Sequence, residues 1–338
     1  MATFVRVQEI EHPIGPTGRF QLRSTSSDVE LRGIDSDVAR VRIEFELRAA
    51  SDAEADEAFE GIRFAVNAGE GILEVSEPRQ ANHGLGAITR MLGISGLKVE
   101  ASIIAEVPSH ATVTYDGVSG DLIAMRTLGT QEYKTVSGDI VLSDAGGHIR
   151  MNGVSGDVSL RADAAVWLQG NTVSGDLSAI APRLEECRVV TVSGDVELDG
   201  YLSPGAPHRI ETVSGDLSLG LAGGLTLEVR GLSTDVHISA AHRSEGSRDR
   251  RRYVIGDGAA SLLFSSMSGD VSVGPARRGG GAVPPPPPPA PSAAPVPPRP
   301  PARAVDPAAE LEILRALERG EIDVDEATRR LAGDRSDG

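Results

Sequence analysis

Val118-Ser119-Gly120-Asp121, Val136-Ser137-Gly138-Asp139, Val154-Ser155-Gly156-Asp157, Val173-Ser174-Gly175-Asp176, Val192-Ser193-Gly194-Asp195 and Val213-Ser214-Gly215-Asp216 are six copies of one phrase. A worn copy follows at Ser233-Thr234-Asp235, and a detached one at Met267-Ser268-Gly269-Asp270. Successive serines lie 18, 18, 19, 19, 21, 19 and then 35 residues apart. A fixed period means one structural unit stacked many times. Around each copy apolar and polar residues alternate, as in residues 149–160. That is the period of strands with one buried face. Ser-Gly-Asp between them is turn chemistry: Gly reaches backbone angles other residues avoid, and Asp or Ser bonds nearby backbone groups. A repeat near 19 residues is too short for a propeller blade of about 40. The expected fold is therefore all-β, a single-stranded β-solenoid of roughly 18–19-residue coils, each pairing with the next at about 4.8 Å. Inward Val154, Val158 and Leu160 then stack on Val173 and Leu177, and on Val192, Val196 and Leu198.

Stacking of this kind puts the turn aspartates in a ladder: Asp121, Asp139, Asp157, Asp176, Asp195, Asp216 and Asp235, with Asp270 in the detached copy. Two carboxylates one coil apart repel by about 1 kcal/mol in water and several-fold more if desolvated. The ladder needs compensation, which backbone N–H groups of the same turn or the next coil can supply. The alternative is a stack of calcium sites, as in glycine-rich calcium-binding β-rolls. Those carry a Gly-Gly-x-Gly-x-Asp nonapeptide, whereas each coil here offers one acidic residue and no second ligand at a fixed offset. No cofactor or metal is expected.

The coils resemble the bacterial putative-adhesin family, a domain of unknown function built from Thr-Val-Ser-Gly-Asp repeats. The residues that carry the resemblance are 135–140, 172–177, 191–196 and 212–217, with the lead-in at 105–113, where a strand ends in Val107-Pro108. The resemblance spans roughly residues 20–273. It implies the fold; the family has no agreed catalytic residues.

Composition bounds the rest. The chain has 338 residues and a formal net charge of −16, which argues against nucleic acid as a partner. Aromatics are 3%, which leaves no stacking platform for bases or sugars. The single cysteine, Cys187, cannot form an internal disulfide and is expected in a coil corner or the core. No signal-peptide-like run opens the sequence and no stretch of 18 apolar residues occurs, so the expectation is a cytoplasmic protein whose membrane contact is peripheral at most.

In order along the chain, residues 1–107 read as a β cap and first coils, with Ser27-Asp28-Val29 and Ser36-Asp37-Val38 as degenerate turns. Within that region Ser51 and Glu54 form a capping box for a short helix whose apolar face is Ala55, Ala58, Phe59 and Ile62. Residues 82–96 are glycine-rich yet apolar and are expected to dock on the cap; an exposed apolar patch is the alternative. Residues 108–274 hold the repeat coils. Trp167, the one tryptophan, is expected to be packing surface. His242, Arg243, Arg248, Arg250, Arg251 and Arg252 make the one concentrated basic segment, read as a solvated loop that accounts for the 35-residue gap. Arg248, Arg250, Arg251 and Arg252 are its candidate contacts for an anionic lipid head group or acidic partner.

Residues 275–305 are a proline-rich linker, with six consecutive prolines at 284–289, stiff and extended as polyproline II. Residues 306–338 read as a helical hairpin. Asp306 and Asp323 are caps, and Leu314, Leu317, Ile322 and Leu331 lie on its apolar faces. The stretch 311–332 resembles the short helical pair called the SHOCT-like domain, with Glu321 and Asp323 where that family has lysine and threonine. So few residues cannot build an independent core. The hairpin is therefore the expected site of self-association or of docking on a protein partner, through Leu314, Leu317, Ile322 and Leu331.

No nucleophile elbow, phosphate loop or dinucleotide fingerprint occurs, and the seven histidines are scattered. The expectation is a non-enzymatic scaffold or interaction protein, which the resemblance links to cell-envelope stress. The alternatives are a self-assembling, filament-like or surface protein and, more remotely, a polysaccharide-acting enzyme.

Overall fold

A computed structural model describes residues 2–59, 62–77, 99–246 and 250–276. Residues 82–96, Arg248, and everything expected of 277–338 (most of the proline linker and the helical hairpin with Leu314, Leu317, Ile322 and Leu331) lie outside the described residues.

The described chain is nearly all-β. Its strands are β1 (Ala2–Pro13), β2 (Arg19–Ser24), β3 (Asp28–Ile34), β4 (Val38–Ala49), β5 (Ala65–Gly69), β6 (Ile72–Ser76), β7 (Val99–Pro108), β8 (Thr112–Gly117), β9 (Leu122–Met125), β10 (Thr130–Lys134), β11 (Ile140–Asn152) and β12 (Val158–Asn171). There follow β13 (Leu177–Val190), β14 (Val196–Leu202), β15 (His208–Glu211), β16 (Leu217–Leu221), β17 (Leu225–Ser233), β18 (Val236–Ile238), β19 (His242–Gly246), β20 (Arg250–Ile255), β21 (Ala260–Ser268) and β22 (Val271–Pro275). One short helix, α1 (Asp52–Phe59), packs on β1 and β4. Ser51 Oγ accepts the Glu54 N–H and Glu54 reaches back to the Ala50 N–H, so the box satisfies donors the helix leaves open.

Each repeat turn joins two legs. The first half of β11 pairs in parallel with β9 and the second half with β10, and the same division recurs where β11 meets β12 and β12 meets β13. One set of legs runs β8, β10, β11, β12, β13, β15; the other runs β9, β11, β12, β13, β14, β16. Register is kept by the core: Val158 faces Leu177 and Leu177 faces Val196, while Leu160 faces Ala179 and Ala179 faces Leu198, all buried. Cys187 is fully buried beside Leu168, and burial pushes its thiol pKa up to about 12.

At both ends the stack departs from chain order. β2 and β3 sit directly on β8 and β9, although residues 35–111 separate them in sequence. Beyond them lie β6 and β7, then antiparallel strands: β5 on β6, and β4 followed by β1 on β7. At the other end β21 lies between β15 and β17, and β22 lies between β16 and β18. The last coil in sequence is thus the second from the end in space. β20 then runs antiparallel to β17, and β19 antiparallel to β20. The described residues of the basic segment expected as a loop between coils are instead these two antiparallel strands, because Tyr253 and Ile255 alternate inward and hold β20 as a strand on the core.

The turn valines also differ from expectation. Val118 and Val136 are 44% and 40% exposed, Val154 and Val192 are half-buried, and Val173 is the buried one of the row. The inward position belongs to the residue before, where Thr135, Thr172, Thr191 and Thr212 are buried. The strand's alternation carries on into the turn, so the threonine takes the inside place and the valine the lip.

Candidate functional site

The repeated turns form one edge of the stack. In each, the aspartate N–H donates to Oδ1 of the aspartate in the preceding coil, at 2.8–3.1 Å. Each aspartate carbonyl accepts the N–H of the residue that follows the preceding coil's aspartate, at 2.8–2.9 Å. The carboxylates are therefore compensated by the backbone. The order is Asp28, Asp121, Asp139, Asp157, Asp176, Asp195, Asp216, Asp270, Asp235. Asp28, from a degenerate turn, is the first member, and the detached Asp270 stands between Asp216 and Asp235 because β22 stands between β16 and β18. Among the described residues no group of three or more His, Cys, Asp or Glu is placed to hold a metal.

Glycine is required here chiefly by proximity. A Cβ on Gly138, Gly156, Gly175, Gly194, Gly215 or Gly269 would lie closer than 3.0 Å to the carbonyl of the glycine one coil before. Positive φ adds to this at Gly156 (138°) and Gly175 (156°) and at no other glycine of the row. The left-handed freedom expected of the turn is thus a feature of two coils, while close approach of backbones holds in all.

Both ends of this edge are closed by side chains. In the turns the serine and aspartate N–H groups point toward the β6 end, and there Glu77 Oε2 accepts from the Thr25 and Ser26 N–H groups and from Ser24 Oγ. At the opposite end the Thr234 carbonyl points outward, and the Arg251 guanidinium donates to it. An anion covers the donor end and a cation the acceptor end. The other basic residues of β20 are spread over its face. Arg250 binds Glu228 at 2.8 Å together with Arg230, and Arg252 is exposed opposite Glu228. Burial raises the Glu228 pKa, but the bonds from Arg250 and Arg230 outweigh it and hold the carboxyl below its ordinary value. Of the candidate anion contacts, Arg250 and Arg251 are thus tied to the protein's own groups, and Arg252 faces outward.

Sequence reasoning missed the outer face of the β10–β15 legs. Trp167 is 38% exposed and stacks on its in-register neighbour His148, with ring centroids 4.5 Å apart and planes at 21°. A low aromatic content does not preclude a stacking platform when two rings from adjacent coils share one row. The next row on the same face reads Glu132, Arg150, Gln169, Arg188, Arg209. The parity of Trp167 within residues 163–171 would have placed it outward, but the alanines on either side of Asp163 blur the alternation there: Ala162 is buried and Ala164 and Ala165 are not.

Inside the stack, Gln131 bonds the Thr127 and Gly146 carbonyls and takes bonds from Thr127 and Tyr133, knitting three coil segments together. His208 is buried with Nε2 on the Ser203 carbonyl at 3.0 Å, and burial lowers its pKa, so it is neutral. Among the described residues no helix is long and apolar enough to cross a membrane.

Several solved structures are similar in outline. A putative cell adhesion protein from Clostridium sporogenes is 10% identical, with 79% of this chain and 99% of that one covered at a TM-score of 0.28. A putative lipid binding protein from Parabacteroides distasonis is 12% identical, with 80% and 97% covered and a TM-score of 0.42. A putative adhesin from Bacteroides fragilis is 11% identical, with 79% and 97% covered and a TM-score of 0.26. No curated protein matches the chain. The Toastrack DUF4097 family model matches residues 6–274, and with nearly the whole described β stack inside that match, the chain belongs to the Toastrack DUF4097 family.

Proposed function

We propose that this protein is a non-enzymatic interaction scaffold: a β-solenoid that offers its flat outer sheet faces to partners, with the tail as its assembly or docking module. The observation that carries the reading is the closure of the stack. Antiparallel strands β1, β4 and β5 cover one end and β19 and β20 cover the β17 leg at the other, so among the described strands the three-residue β18 is the one parallel edge left to an incoming coil. The repeated carboxylates are committed to the backbone of the next coil, which also supports a structural role for the ladder. Residues 306–338, with Leu314, Leu317, Ile322 and Leu331 on the apolar stripe, suit docking on a protein or on a second copy. The resemblance of the two modules to envelope-stress proteins supports a role in that response.

Light scattering on the full chain and on a chain ending at Ala276 tests this. Oligomers of the full chain that dissolve on truncation, or monomers in both, fit the scaffold. Long assemblies in both, growing with concentration, would establish the filament-like alternative and end the scaffold reading.

A further inference from the structure

Trp167, His148, Arg150, Gln169 and Arg188 form one patch on an open sheet face. β11, β12 and β13 place them as two rows: His148, Trp167, Glu186 in one, and Arg150, Gln169, Arg188 two residues further along each strand. All point outward, since their strand neighbours Ile149, Leu168 and Cys187 are buried. His148 occupies one flank of the indole. Arg150 and Arg188 are exposed, and no acidic side chain of the described residues pairs with either: the neighbouring Glu132 is taken by Lys134 at 3.5 Å, and Arg209 in the next coil is taken by Glu211. Two unpaired guanidiniums thus stand two coils apart, about 10 Å by strand spacing, with an amide between them and an aromatic pair beside them.

We infer that this patch binds an acidic polysaccharide built of uronate residues. Three features of the site select that chemistry. Guanidinium is suited to bidentate pairing with a planar carboxylate. An exposed indole offers an apolar face to the C–H side of a pyranose ring, and Gln169 can both donate to and accept from ring hydroxyls. The patch is flat and follows the coil repeat, so it suits an extended polymer with regularly placed anions rather than a compact ligand. Among the six residues of the two rows Glu186 is the opposing charge, and it borders the indole on the side away from His148; Glu132, in register with Arg150 one coil before, is held by Lys134.

None of these residues belongs to the tail, and the protein-partner reading above stands whether or not this site exists. Trp167 is the only tryptophan, so its fluorescence reports on the patch alone. The full chain is titrated with a galacturonate oligomer and with a neutral glucose oligomer of equal length, and binding is repeated by calorimetry. The expected result is a saturable change in Trp167 emission with the uronate and none with the neutral sugar. Arg150→Gln and Arg188→Gln should each weaken binding about fivefold, as loss of an exposed charged hydrogen bond does. Glu186→Gln should tighten it, and Trp167→Phe should retain weakened binding by calorimetry. All four substitutions are on an exposed face and leave the core intact. Absence of uronate binding, equal binding of the neutral oligomer, or unchanged affinity in both arginine variants would overturn the proposal. Chain length of the recovered uronate is also measured. A shortened product would leave the ligand class standing and instead sink the non-enzymatic reading.

Discussion

A glycine that touches a glycine sets the tolerance of this fold. Gly175 has no room for a Cβ against the Gly156 carbonyl and also holds φ at 156°. Gly175→Ala should cost about 2–4 kcal/mol in urea unfolding, because a coil must shift to admit one methyl group. Gly205, with positive φ but open space around it, provides the contrast: Gly205→Ala should cost about 1 kcal/mol from backbone strain alone. Equal losses at the two sites would show that the close approach does not matter. His208 gives a pH signature. Its folded pKa lies below its unfolded value, so the unfolded chain takes up the proton first as pH falls. The stability it allows is complete above about pH 6.5, and is lost progressively below that until the folded pKa is reached, at up to about 1.4 kcal/mol per pH unit. A His208→Gln variant should lack this slope when urea midpoints of both proteins are compared from neutral to acid pH. The turn triplet was plainly legible in the sequence. Which of the two residues ahead of it points inward was not, since Thr and Val are both β-branched and suit a strand equally well.

Elements follow the same logic at their ends. At the turn edge the stack leaves the Thr25 and Ser26 N–H groups bare at one end and the Thr234 carbonyl at the other, and this chain answers with Glu77 and Arg251. Glu77→Ala should remove a charged acceptor from three donors and cost about 1–3 kcal/mol, with Glu77→Gln losing less. Amide exchange at Thr25 and Ser26 should quicken in step; protection that survives in the alanine variant would mean another group closes that end. The repeats at 118–216 could be placed in order from sequence because each pairs with its neighbour in the chain. The ends could not. Ser27-Asp28 and Ser36-Asp37 carry the same local signal, yet Asp28 joins the ladder while Ser36 only caps the Val38 N–H. The choice is made by which edge lies open nearby, and local spacing does not encode that. The basic segment misled for a related reason: its charge reads as solvated loop, but Tyr253 and Ile255 anchor it as a cap.

For the whole β stack, the pairing order has a mechanical consequence. A chain ending at Gly246 would lack β20, β21 and β22, and would thereby leave β17 and β18 without their parallel neighbours. We expect such a chain to aggregate and to unfold without a sharp transition, as read by light scattering and urea titration. A cooperative monomer would show that the terminal coil is dispensable.

The same arrangement bears on how the protein is made. Synthesis proceeds from the first residue to the last, and a simple coil stack could settle one turn at a time as it leaves the ribosome. Here the segment 19–34 can meet 72–76 and 102–108 early but must wait for 112–125 before its second parallel neighbour arrives, and the segment 225–238 must wait for 260–275 before it has any parallel partner. The stack is completed by the coil that is translated last, which slides between two that were already made. Until residue 275 has emerged, the growing chain carries an open slot, and its protection in that interval becomes a matter for the cell's folding machinery.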